Sequence, residues 1–96
     1  MTAYLIARVA TANPELLKDY MTATPPIIAR HGGRFLARGG KTMTLEGPHE
    51  SRRLVIIEFP SLGDAENFYH SGEYQEVRKL REGIAIVEFV AIEGSD

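Results

Sequence analysis

Five charged side chains lie on a strand surface that is otherwise apolar, and they are the residues best suited to bind a ligand. They alternate with apolar residues in strand-like segments: Arg8, Arg34, Arg38, Glu58 and Glu88. Arginine donates paired hydrogen bonds to carboxylates and related anions. The pattern therefore predicts a pocket near the sheet, lined by Arg8, Arg34, Arg38 and Glu58, for a small anionic or polar-aromatic molecule.

The same charges also have a purely structural interpretation. If the first strand lies between the third and the last, Arg8 lies between Glu58 and Glu88 and can pair with both. Such a cluster would form internal salt bridges or set the register of a dimer, because charges that leave water need partners. The sequence leaves the structural and the ligand-binding interpretations open.

Two further side chains are candidates for proton transfer. His31 precedes Gly32 at a predicted helix end, and Tyr69 lies on an apolar helix stripe. Either residue could act as an acid or a base in a proton transfer. A histidine at a helix C-terminus is also a structural cap favoured by the helix dipole, and a tyrosine on an apolar stripe is more often a core residue.

The composition excludes several kinds of site. The chain has no cysteine, which excludes disulfides and thiolate chemistry, and its three histidines lack metal-ligand spacing, so we expect no metal and no cofactor. The net charge is −2 and the basic residues are spread along the chain, so we expect no nucleic-acid partner. We find no membrane-spanning run and expect a cytoplasmic protein.

The elements that position these residues follow the order β-α-β-β-α-β. Strands are predicted at about 3–10, 33–38, 53–59 and 84–92, and helices begin after Asn13, Ser61 and Ser71. The Pro25-Pro26 pair predicts a kink or break in the first helix near Thr24. The chain is expected to form one domain, 1–96, with the ferredoxin-like α+β plan, an antiparallel sheet with helices on one face.

Strand alternation separates the two faces of this sheet. One face is wholly apolar and suits the helices, whereas the other carries the five charges together with seven aliphatic side chains. So much apolar surface favours burial against a second copy of the chain. We predict a homodimer, a dimeric α+β barrel, through the face that carries Ile6, Leu36, Leu54, Ile56 and Val90. An alternative is that the segment 41–53 folds over this face within one chain.

Several short motifs occur together along almost the whole chain. They are Ala3-Tyr4, the segment 32–40, Leu45-Glu46-Gly47, Arg53-Leu54-Val55, Glu58-Phe59-Pro60-Ser61, and residues within 69–81. With them the chain resembles the small bacterial proteins of the domain of unknown function 1330 family, in the dimeric α+β barrel superfamily. The resemblance implies a ferredoxin-like fold, a homodimer and no established activity.

The wider superfamily includes cofactor-free monooxygenases, lactone isomerases and haem-degrading enzymes, which hold ligands between the helices and the sheet. A small-molecule-binding protein, a cofactor-free oxygenase or isomerase, and a structural or interaction module without a ligand are therefore all open alternatives. His31 and His49 stand where the family commonly has tyrosine and tryptophan, so a shared ligand specificity does not follow from the resemblance.

Overall fold

The strands and helices follow the predicted order. In the structure, a computed structural model that describes residues 1–95, the strands are β1 (Ala3–Thr11), β2 (Arg34–Arg38), β3 (Arg53–Phe59) and β4 (Ala85–Glu93). The helices are α1 (Lys18–Arg30), α2 (Leu62–His70) and α3 (Gly72–Arg78), and 3-10 turns at Pro14–Leu17 and Lys79–Arg81 extend α1 and α3. Asp96, the last residue of the predicted domain, lies outside the described residues.

One antiparallel sheet contains all four strands in the order β2-β3-β1-β4, which places β1 and β3 in the centre as predicted. Alternate side chains of the central strands, such as Leu5 and Ile57, are buried beneath the helices. The other side of the sheet is called here the outer face; its apolar residues on β1, β3 and β4 are Ile6, Leu54, Ile56, Ile86, Val90 and Ile92. The predicted ferredoxin-like α+β fold is confirmed.

The core between helices and sheet is built on aromatic side chains. Phe59, Phe68 and Tyr74 are the largest fully buried side chains. The Phe68 ring centroid lies 5.5 Å from that of Phe59 and 4.8 Å from that of Tyr74. Aromatic pairs at such distances add to the stability gained by burial alone. They anchor α2 and α3 to the sheet.

Glycine and serine residues define the helix ends as the sequence indicates. Gly32 follows α1 with a φ of 80°, a conformation that few other residues adopt readily. The Ser61 hydroxyl accepts a hydrogen bond from the Asp64 amide at the start of α2, and the Ser71 hydroxyl accepts one from the Tyr74 amide at the start of α3, both over 3.1 Å. These caps satisfy backbone donors that a helix start leaves free.

Helix α1 continues through the two prolines that were predicted to interrupt it. Pro25 has no amide hydrogen, so the carbonyl of Met21 loses its helical hydrogen bond. The Arg38 guanidinium donates a hydrogen bond of 2.5 Å to that carbonyl oxygen and replaces the missing bond. The predicted break is wrong, since the helix is continuous from Lys18 to Arg30 and a side chain from β2 satisfies the exposed carbonyl.

A β-bulge in β2 decides which face Arg38 occupies. The pairing of β2 with β3 shifts by one residue between Phe35 and Ala37, so Arg38 lies opposite Val55, whose side chain is buried beneath the helices. A shift of one residue moves every following side chain to the other face. The prediction that Arg38 shares a face with Arg34 is therefore wrong.

Candidate functional site

The charged residues of the outer face are paired, but not as the sequence suggested. Arg34 Nε donates to Glu58 Oε1 over 2.8 Å. Arg8 lies opposite Glu88 on β4, while the register of β1 with β3 places Tyr4, not Arg8, opposite Glu58. The predicted position of Arg8 between Glu58 and Glu88 is wrong because strand pairing separates it from Glu58 by two pleats.

The actual partner of Arg8 is Glu50, from the irregular segment between β2 and β3. Glu50 Oε1 lies 3.3 Å from Arg8 Nε, and Arg52 donates two hydrogen bonds of 2.9 and 3.0 Å to the same carboxylate. Arg52 Nη1 also donates to Glu88 Oε1 over 2.6 Å. The hydrogen bonds from Arg52 lower the pKa of Glu50 to about 2. Sequence reasoning missed Glu50 because an irregular segment has no periodicity that reveals its contacts.

A narrow cavity lies between α1 and the helix-facing side of the sheet. Its volume, measured as the space open to the centre of a water-sized sphere, is about 50 Å³. The surrounding empty space, which includes open solvent, is about 550 Å³. Apolar side chains form most of the wall, among them Leu17, Met21, Ile28, Phe35, Val55 and Phe89. No histidine or carboxylate of residues 1–95 contributes to it. The cavity is therefore suited to an apolar body.

Two arginines that have no acidic partner among the described residues also line this cavity. Arg38 lies over the Phe35 ring, with Cζ 4.3 Å from the ring centroid. Arg53 Nη2 reaches the Arg38 carbonyl at 3.4 Å and lies against Gly39, where a Cβ would come within 2.3 Å of the guanidinium carbon. Burial, and then the charge of Arg53, lower the pKa of Arg38. The two cations retain free hydrogen-bond donors.

A pair of tyrosines adjoins the cavity. Tyr20 lines it, and its hydroxyl lies 2.7 Å from that of Tyr74, which is fully buried. Burial, and then the neighbouring Tyr74, raise the pKa of Tyr20 far above its ordinary value. Tyr20 therefore stays protonated, and its hydroxyl acts as a neutral hydrogen-bonding group rather than as a base.

The two proton-transfer candidates occupy separate places. The Nδ1 atom of His31 lies 3.0 Å from the Ile27 carbonyl oxygen, and its ring packs edge-on against Phe68. His31 thus caps α1 and does not line the cavity under that helix. Tyr69 lines a different cleft, between α2 and β4, where it packs against Phe89 at 5.8 Å between ring centroids. The structure does not bring His31 and Tyr69 together.

The described part of the chain offers neither a cluster of metal ligands nor a helix that could span a membrane. Across residues 1–95, no three or more His, Cys, Asp or Glu side chains are grouped so that they could hold a metal ion. None of the described helices has both the length and the apolar character needed to cross a membrane.

Solved structures share this fold at low sequence identity. A protein of unknown function from Rhodopseudomonas palustris superposes with a TM-score of 0.73 at 21% identity, covering 99% of this chain and 83% of that one. SnoaB, a cofactor-independent oxygenase from Streptomyces nogalater, gives a TM-score of 0.70 at 11% identity, covering 99% and 94%. A dimeric protein of unknown function with a ferredoxin-like fold from Bacteroides fragilis gives 0.65 at 14% identity, covering 97% and 96%.

At such identities these likenesses show the fold alone. No curated protein matches the sequence. The sequence model of one family, described as a domain of unknown function (DUF1330), matches residues 2–95. The motifs that suggested this family lie throughout the matched range, from Ala3-Tyr4 to the segment 69–81. The chain therefore belongs to the DUF1330 family.

Proposed function

We propose that the protein is a cytoplasmic homodimer that binds a small acid with an apolar or aromatic body in the cavity under α1. The observation that carries this proposal is the pair Arg38 and Arg53, which line an apolar cavity without a carboxylate partner among the described residues. A bound carboxylate would relieve the repulsion between the two guanidinium groups. It would also accept charge-assisted hydrogen bonds, which are stronger than neutral ones.

Ligand entry requires the cavity to widen. Sites for small molecules commonly enclose about 300–1,000 Å³, whereas this cavity has a volume of about 50 Å³. Met21 and Arg38, two long unbranched side chains, line the cavity. We propose that a change of rotamer at Met21, a flexible side chain, provides room without moving the backbone.

The cavity favours binding over proton transfer. The titratable wall residues within positions 1–95 are Arg38, Arg53 and Tyr20, and Tyr20 holds its proton. A cofactor-free oxygenase or isomerase needs a group near the substrate that accepts a proton. Catalysis of that kind has its support in the shared fold of SnoaB, and not in a base at this cavity.

The second copy is proposed to cover the outer face. Ile86, Val90 and Ile92 of β4 are 51–75% exposed in the single chain. The segment between β2 and β3 does not cover them, because its apolar residues Met43 and Leu45 are themselves exposed. Contiguous apolar area of this kind is typical of a protein interface.

The ion pairs of the outer face are compatible with burial in that dimer. The carboxylates of Glu50 and Glu58 each contact an arginine of the same chain. The free-energy cost of leaving water is smaller for paired charges than for isolated ones. We therefore assign Arg8, Arg34 and Glu58 to the interface, and retain Arg38 as a ligand-binding residue.

The ligand proposal is tested by thermal shift and calorimetry with a set of aromatic and aliphatic carboxylic acids. A bound acid should raise the melting temperature of the wild-type protein. Arg53→Gln should weaken its binding at least about tenfold, the loss expected for one charge-assisted hydrogen bond. Lys41→Gln, an equal change of charge at an exposed position, is the control.

Arg34→Gln distinguishes the cavity from the four-residue pocket predicted from the sequence. Because Arg34 lies on the outer face and pairs with Glu58, its replacement should leave ligand affinity unchanged. The proposal fails if no acid in the set binds, or if Arg53→Gln binds the acid as tightly as the wild type does.

A further inference from the structure

A second cleft contains two arginines with unused hydrogen-bond donors. It lies between α2, the end of α3 and β4, and has a volume of about 610 Å³. Arg78 and Arg81, one helical turn apart, both line it. The Nε–H groups of both are buried and have no hydrogen-bond partner among residues 1–95. Buried donors in folded proteins are nearly always paired, so these two indicate a missing partner.

Arg81 is the more unusual of the two. It is only 8% exposed, and no carboxylate of the described residues forms a salt bridge with it. Its guanidinium carbon lies 5.8 Å from the Tyr20 ring centroid and 6.0 Å from that of Phe89, distances at which aromatic faces attract a cation. The Tyr74 and Tyr20 side chains also interact with this guanidinium, but its buried Nε–H group has no hydrogen-bond partner among residues 1–95.

The charge of Arg81 is maintained in this environment. Burial alone would lower the pKa of Arg81, but the Tyr74 and Tyr20 side chains raise it above its ordinary value. Arg78 has only a distant partner, since Arg78 Nη1 lies 4.0 Å from the exposed carboxylate of Glu82. The cleft therefore contains two cations that lack a close counter-ion in this part of the chain.

The rest of the cleft indicates the chemical class of the counter-ion. Its walls are mainly apolar, including Leu62, Ala65, Val87 and Phe89. An inorganic anion would leave these walls in contact with water, whereas a carboxylate on an apolar body would cover them. We propose that this cleft is a second ligand site, in which Arg78 and Arg81 bind the carboxylate of a small apolar or aromatic acid.

This site is independent of the one proposed under α1. Neither Arg38 nor Arg53 lines the second cleft, although the two cavities share Val87 and Phe89 as wall residues. Within residues 1–95, one carboxylate, that of the exposed Glu66, also lines the cleft and opposes an anion there. The proposal therefore predicts effects of opposite sign when Arg78 and Glu66 are neutralised separately.

The test is an amide NMR titration with benzoate and, separately, with inorganic phosphate. Arg78→Gln is the informative variant, because its side chain is 39% exposed and its replacement leaves the buried Arg81 in place. We expect wild-type protein to bind benzoate more tightly than phosphate, with shift changes in α2 and β4. Benzoate binding at this site should weaken at least tenfold in Arg78→Gln and tighten in Glu66→Gln. Lys79→Gln, the exposed neighbour with the same change of charge, should bind as the wild type does.

Several results would overturn the proposal. Phosphate binding without benzoate binding would contradict the assigned ligand class. Absence of shift changes in α2 and β4 with either anion would contradict an anion site in this cleft. Benzoate binding that Arg53→Gln abolishes and Arg78→Gln leaves intact would reject this second site while supporting the cavity under α1. The opposite pattern would support this site and reject the first.

Discussion

Replacing Val90 by aspartate tests the proposed dimer at a position where the single chain should tolerate the change. Val90 is 51% exposed on the outer face and lies opposite Ile6 of the central strand β1. Half of its side chain is already in water, so the protomer should stay folded. In the proposed dimer the new carboxylate would leave water, on the same strand face as Glu88.

The size of the effect follows from the apolar area lost. Full burial of a valine contributes roughly 1.5–3 kcal/mol, so the exposed half of Val90 contributes about 1 kcal/mol per copy. A two-fold interface contains the residue twice, which gives about 2 kcal/mol, or about 30-fold in the dissociation constant. Desolvation of two carboxylates without partners adds to this loss, so about 30-fold is a lower bound.

Sedimentation velocity and light scattering across nanomolar to micromolar concentrations measure this effect, with circular dichroism to verify that the chain is folded. Leu16→Asp is the matched control, because Leu16 is 55% exposed but lies in the helix layer. It should dimerise as the wild type does. A wild-type mass near the 10.7 kDa of one chain at micromolar concentration would refute the reasoning, as would equal dissociation constants for Val90→Asp and Leu16→Asp.

Three further predictions concern the stability of the fold. Tyr74→Phe, which removes the 2.7 Å hydroxyl contact with Tyr20, should lower the free energy of unfolding in urea by about 1 kcal/mol, and no change would contradict a stabilising role. Gly33→Ala should lower it by about 1–3 kcal/mol, since the added Cβ would lie 2.7 Å from a core ring atom, whereas Gly40→Ala, with no atom within 4 Å, should be nearly neutral. The folded-state pKa of Glu50 is lowered from 4.5 to about 2, so its carboxylate stabilises the fold fully above about pH 4.5 and loses that effect as the pH falls toward 2. The difference in free energy of unfolding between wild type and Glu50→Gln, measured by urea unfolding, should therefore shrink as the pH falls across this range. A difference that stays constant with pH would exclude a contribution from protonation of Glu50.

Local patterns predicted the fold because each depends on near neighbours in the chain. Alternation along β1 and β3 identified the buried and outer faces, and the serines at positions 61 and 71 marked two helix starts. The prolines of α1 misled the same reasoning. The group that compensates for Pro25 is Arg38, which lies on another strand and cannot be recognised from the helix sequence.

Residue spacing predicted the order of elements and the outer face that a partner is proposed to cover, because it reflects local structure, and the short motifs along the chain indicated the family by resemblance. Which charges meet depends on the three-dimensional packing. A one-residue bulge places the exposed Arg38 on the helix-facing side of the sheet, strand register separates Arg8 from Glu58, and the irregular segment before β3 supplies Glu50. The 3-10 turn after α3 likewise places Arg81 between the rings of Tyr20 on α1 and Phe89 on β4. Each of these contacts depends on a register or a loop path, and a single residue of shift reverses its outcome.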